Sequence, residues 1–184
     1  MGSELLDRLN TLWSDLKSIG NFYAVMAGFG GFAIQNHISW RTATERGLAI
    51  FVDTPDIENI GYELESRGWY VRFKPGQIEV YVNSQPISFY NSNTKHILNS
   101  VRKRTMDFNN VKIINAPALL LHHLLYMDLV DMVHNLKNPI DTALTKKILY
   151  EAASEINTLF DPLTFGVVEN RLENFKTQQK KKFK

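Results

Sequence analysis

Apolar residues Leu5, Leu6, Leu9, Leu12, Trp13 and Leu16 recur at helical spacing, which predicts an amphipathic helix over residues 3–18. Ser3 is its expected cap and Gly20 its stop. Two short apolar runs, residues 22–27 and 48–52, read as buried strands. Between them Gly28, Gly30 and Gly31 mark a turn, and a short helix is expected over 32–37. Thr54-Pro55-Asp56 opens a helix with a capping side chain, a proline at the first position and an acid near its positive end. That helix runs to Arg67 and stops at Gly68. Residues 69–73 and 78–82 flank Lys74-Pro75-Gly76-Gln77, a hairpin signal, and residues 86–90 add a strand that Pro86 assigns to an edge.

The second half reads as mainly helical. A helix is expected over 95–104 and a short strand over 111–114. Asn115-Ala116-Pro117 then caps the longest helix, to residue 136, followed by helices over 141–159 and 162–175. Lysine-rich residues 176–184 read as a frayed, solvated end. The expected fold is α+β: a mixed sheet flanked by helices over residues 1–115, then a small helical bundle with a basic tail over 116–184.

Composition narrows the chemistry only a little. The 184 residues are 44% hydrophobic, enough for a core without covalent staples. Absence of cysteine excludes disulfides, thiolate metal sites and cysteine nucleophiles. No apolar run reaches the roughly 18 residues of a membrane span. No signal pattern opens the chain, so the expectation is no membrane and a cytoplasmic location. A net charge of +2 does not mark a nucleic-acid binder, although Arg102, Lys103 and Arg104 cluster, as do Lys180, Lys181, Lys182 and Lys184.

Several chemistries lack their motifs. There is no P-loop, dinucleotide fingerprint or nucleophile elbow. His37 and His96 stand in no triad order. Asp131 and His134, with His123 two turns back on one expected helix that also carries Asp128, fall short of convergent metal ligands. Tyr70, Arg72 and Lys74 alternate with Trp69, Val71 and Phe73, the pattern of a half-buried strand more than of a nucleic-acid stacking platform.

The informative stretch is Gly30 to Val52, GGFAIQNHISWRTATERGLAIFV. Glycines after a strand let backbone N–H groups approach a phosphate, and a following helix start favours anions. The order Gly30-Gly31, then Arg41-Thr42-Ala43-Thr44, then Glu45-Arg46-Gly47-Leu48, resembles the nucleotidyltransferases of the minimal, DNA-polymerase-beta-like superfamily. Within it the abortive-infection-type toxin enzymes look most similar. Ile78-Glu79-Val80 has the form of the family's third-acid strand, and Leu119 to Leu125 resembles its helix after the core, with histidine in place of a common lysine.

The resemblance implies that Gly30, Gly31, Arg41 and Thr42 bind nucleotide. It also implies that Glu45 and Glu79 are the catalytic carboxylates and metal ligands, with Mg2+ as the cofactor of any remaining activity. Nucleoside triphosphate, RNA or a protein would be the partners. One departure limits catalysis: Gly47 stands where the second metal-bridging acid belongs. Two carboxylates two apart on a strand share a face and hold the metals, and losing one removes most of the rate. Three readings follow: a degenerate nucleotidyltransferase that still binds nucleotide or nucleic acid, an interaction module using the C-terminal helices, and an active enzyme relying on Glu45 and Glu79.

Overall fold

Strand burial alternates so that apolar side chains line one whole side of a mixed sheet and only part of the other. The computed structural model describes residues 2–20, 22–54, 56–91, 97–127 and 129–184. Pro55, His96, Asp128 and the first residues of the helix expected from Lys95 lie outside these. Helix α1 (Gly2–Ile19) precedes β1 (Ala24–Ala27), α2 (Gly28–Ile34), α3 (Trp40–Arg46), β2 (Leu48–Val52) and α4 (Ile57–Ser66). Then come β3 (Tyr70–Lys74), β4 (Gln77–Val82), β5 (Gln85–Asn91), α5 (Asn99–Arg102), β6 (Thr105–Phe108) and β7 (Val111–Ile114). Helix α6 (Ala116–Tyr126), a 3-10 helix (Val130–Asn135), α7 (Thr142–Glu151), α8 (Ala153–Leu159) and α9 (Pro162–Lys182) complete the chain.

Among the described residues the sheet runs β3-β4-β5-β2-β1-β7-β6. Antiparallel β1–β2 forms the centre, β2–β5 and β1–β7 are parallel, and the outer hairpins are antiparallel. Strand β5 is therefore internal, not the edge that Pro86 suggested. Its ladder with β2 begins at Leu48↔Ile87, one residue past Pro86, so the missing N–H costs that ladder nothing. Strand β6, not expected from the sequence, pairs with β7 across Asn109-Asn110. These two residues, like Asn83-Ser84 between β4 and β5, have positive φ, as a two-residue primed turn requires.

Helices α1 and α4 cover the side of the sheet that carries Ile50, Ile78, Val80, Ile87 and Phe89. Helix α4 comes so close at Gly61 that a Cβ there would lie 2.6 Å from the Phe73 ring. Its cap is Asp56, whose carboxylate accepts from Asn59 N–H at 3.0 Å. Helix α1 begins at Gly2, so Ser3 lies inside it and does not cap it.

The C-terminal half departs most from expectation. Asn115 caps α6 as expected, but α6 ends at Tyr126 and the 3-10 helix follows. The longest helix is α9, which continues through Lys182. Its buried stripe, Val168, Leu172, Phe175 and Gln179, docks the lysine-rich end instead of leaving it frayed. Gln179 donates to Ile140 O and accepts from Ile140 N–H, both at 2.8 Å. Lys182 Nζ donates to Val133 O and His134 O, satisfying carbonyls at the end of the 3-10 helix.

The glycine pair is inside α2, not in a turn before it. A Cβ on Gly31 would meet Leu119 Cδ1 at 2.6 Å, and one on Gly30 would meet Leu48 Cδ2 at 2.9 Å. Overpacking costs about 1–3 kcal/mol, while alanine gains about 1 kcal/mol over glycine in a helix. Leu119 is fully buried, so crowding wins. Gly31→Ala is expected to lower stability by about 1 kcal/mol net. Gly166→Ala, at an exposed α9 position with nothing within 4 Å, should raise it by about as much. Denaturant melts of both variants check the opposite signs.

Candidate functional site

Strand register decides what the second side of the sheet presents. Ala27, Ala49, Ser88, Glu79 and Arg72 form one cross-strand row, and Val25, Phe51, Tyr90, Gln77 and Lys74 the next. Helix α6 lies over the central end of these rows, where His122 meets the Phe51 ring edge-on at 5.8 Å. Further out Tyr70, Arg72 and Pro86 are exposed, and Tyr81, Ser88 and Tyr90 are half-buried. The Tyr70 and Tyr81 rings meet edge-to-face at 5.0 Å. The two positions of β2 that face this surface are Ala49 and Phe51. Neither is an acid.

The predicted site residues are spread over several elements. Gly30 and Gly31 are buried within α2. Arg41, Thr42 and Glu45 lie on α3, a helix where a loop and a strand start were expected. Ser39 caps that helix, accepting from Thr42 N–H at 3.1 Å, and its hydroxyl lies 2.9 Å from the Thr42 hydroxyl. Arg41 and Glu45, 82% and 60% exposed, pair with each other at 3.0 Å. Gly47 ends the helix at φ 109°, a conformation that favours glycine there whatever acid the family's pattern would put in its place. Glu79 sits on β4 as a buried carboxylate that Lys74 neutralises.

This donor set falls short of what a divalent ion takes. Each carboxylate already has its own cation, and Mg2+ needs oxygen ligands converging on one point. Among the described residues no group of three or more His, Asp or Glu could hold a metal. Asp131 and His134 are on the 3-10 helix, beside an open cleft of about 480 Å3 shared with Lys181 and Lys182, while His123 is on α6. His37 Nδ1 lies 3.2 Å from Asn138 O.

A second cleft, of about 240 Å3, opens between α6 and the sheet, lined by Phe51, Tyr90, His122, His123, Tyr126 and Met127. His123 is 5% exposed and packs against Phe29 and Phe32 of α2, with ring centres 4.8 and 5.6 Å away. Neither of its ring nitrogens has a hydrogen-bond partner. Sequence reasoning weighed His123 as a metal ligand and favoured a partly buried or surface histidine instead. The signal it missed is the position of His123 between apolar neighbours on a helix that is apolar nearly all round.

No family model matches this chain, and no curated protein or solved structure is significantly similar to it. Its architecture stands as α+β, a seven-stranded mixed sheet flanked by helices with further helices at the C-terminus. Among the described residues no helix is long and apolar enough to cross a membrane.

Burial first, and the neighbouring His122 second, push the His123 imidazole down to about 3 from its ordinary 6.5. Between these values the unfolded chain holds a proton that the folded chain does not. Stability is therefore complete above pH 6.5 and falls as the pH drops through this window. His123→Phe removes the proton difference. The stability of the variant relative to the native chain should grow by up to about 1.4 kcal/mol per pH unit below 6.5. Urea melts between pH 7 and 4 measure it, and parallel curves for the two proteins would contradict it.

Proposed function

We propose that the protein is a nucleotidyltransferase-like chain that binds a nucleotide or nucleic acid on the open side of its sheet and has lost metal-dependent transfer chemistry. The observation that carries this reading is the makeup of that surface. At the positions that the resemblance gives to the paired acids stand Glu45, tied to Arg41 on α3, and Gly47. Strand β2 presents Ala49 and Phe51 to the open surface, β5 presents Ser88 and Tyr90, and the acid on β4 is tied to Lys74. Transfer of this type depends on metal positioning and charge neutralisation more than on covalent chemistry by the protein. Removing the ligands removes the rate and leaves the surface able to bind.

Arg41 and Arg46 are the exposed cations of α3, and Arg41, which pairs with Glu45, is the one that the resemblance gives to phosphate. Thr42 serves the α3 cap, and Gly30 and Gly31 shape α2, so their contribution to binding is through the position of these helices. A second reading, an interaction module using the C-terminal helices, draws on Leu163 and Val167. Helix α9 leaves them 77% and 46% exposed, four residues apart.

The test is a thermal-shift titration with the four ribonucleoside triphosphates, with and without Mg2+ or Mn2+. A ligand that binds only the folded chain raises the melting point. At least one nucleotide should do so without metal, and Arg41→Glu should weaken it about tenfold, the loss of one charge-assisted contact. Labelled nucleotide should not be transferred to RNA or protein. Metal-dependent transfer would restore the active-enzyme reading with Glu45 and Glu79, and flat curves throughout would favour the interaction module.

A further inference from the structure

We infer that the basic surface where β1 begins binds the phosphate backbone of a single-stranded nucleic acid. It lies at the far end of β2 from α3, so it is a different place from the one given to Arg41 above. Five residue steps, about 17 Å on an extended strand, separate Leu48 beside α3 from Asp53 beside Tyr23.

The fold divides the cluster Arg102, Lys103 and Arg104. Arg104 pairs with Glu151 of α7. Arg102 and Lys103 line a hollow of about 380 Å3 with Tyr23 and Asp53. A smaller hollow of about 90 Å3 adjoins it at Tyr23 and brings in Lys17 from the last turn of α1 and Lys112 from β7. Lys17 and Lys103 are exposed, and Lys112 Nζ stands 5.5 Å from the centre of the Tyr23 ring. Among the described residues none of these three lysines makes an ion pair, not even Lys112 with Asp107 across the β6–β7 ladder. Asp53 is the one carboxylate among the described residues of the two linings, and the backbone takes it up. It accepts from Tyr23 N–H, while its own N–H donates to Tyr23 O at 3.0 Å.

Elsewhere the chain sets cations against acids, as Arg67, Lys74 and Lys146 show. Here unpaired like charges gather from three elements, which adds repulsion to the folded state and suits a polyanion. The cations stand in two groups with Tyr23 between them. A single phosphate cannot serve both groups, and a backbone that repeats its charge can. The half-buried Tyr23 ring, held by its hydroxyl donating to Arg102 O at 3.1 Å, favours nucleic acid over an acidic protein. Bases stack on aromatic rings beside a basic track.

The test is fluorescence anisotropy of a labelled oligouridylate of about 12 nucleotides, within the usual site sizes for such strands. The full chain is titrated from low to physiological salt. Log affinity should fall with log salt at a slope of about −2 to −3, as three or four phosphate contacts give. Lys17→Glu/Lys103→Glu, at two exposed positions, should keep the melting point, weaken binding about tenfold or more and flatten the slope by about 1.4. Lys180→Glu/Lys181→Glu in α9 carries the same charge change and should leave the slope as it is, and Arg41→Glu should too. Unlabelled oligouridylate should compete better than polyglutamate of equal charge or phosphatidylserine vesicles. Equal losses in the two lysine pairs would reduce the binding to general charge attraction and overturn the site. Better competition by polyglutamate or by vesicles overturns the nucleic-acid assignment. Loss of binding in Arg41→Glu alone moves the strand to α3, which overturns this site and leaves the earlier reading standing. Absence of binding at low salt overturns it as well.

Discussion

The side-chain amide of Gln35 joins the end of α2 to the junction between β7 and α6. Its nitrogen donates to Gly31 O and Ile114 O, both at 2.9 Å, and its oxygen accepts from Ala116 N–H at 2.7 Å. With Asn115 capping the same helix start, this amide fixes where α6 leaves the sheet. Gly31 then lets α2 and α6 approach closely enough for Leu119 to fill the space between them. The cleft, the burial of His123 and the half-covered sheet surface all follow from that seating. A shift of α6 away from α2 would open the apolar interior around Phe29 and Phe32 and expose His123 to water.

The two sides of the sheet answer to different constraints. Apolar packing on the α1 and α4 side requires large side chains at Ile50, Ile87 and Ile78, and it constrains nothing across the strands on the other side. On that second side Ala49, Phe51 and Tyr90 leave room for ring contacts. Phe51 and Tyr90, directly paired across β2 and β5, pack at 5.6 Å and act as a sheet-stabilising pair in their own right. Packing against α1 and α4 and the open surface are thus set on opposite sides of the same strands.

Much of the first half was legible because its signals are local. Strand β2, from Leu48 to Val52, is a continuous apolar run ended by Asp53, and the β3–β4 turn carries Pro75 and Gly76. Helix α3 was not legible: seven residues with one buried side chain give no apolar period, and its start depends on the Ser39 cap. Strand β6 is largely exposed and was announced only by Asn109-Asn110. The buried stripe of α9 reaches its end through Gln179, a polar residue whose partner, Ile140, no local pattern reveals. Of the candidate site, the residue types were readable and their meeting was not. Glu45 and Glu79 sit on separate elements with separate cations, while the cleft is assembled from β2, β5 and α6, far apart in sequence.

The parallel pair β1–β7 has a consequence for how the chain is made. Strands β1 to β5 are all synthesised before β7, so a nascent chain can complete the sheet on one flank while β1 keeps an unsatisfied edge of Ala24, Val25, Met26 and Ala27. An apolar strand with an open edge recruits other chains. That hazard lasts until Met26 finds Ile113. Non-local pairing of this kind closes slowly, so a strand made late protects the open edge of a strand made early.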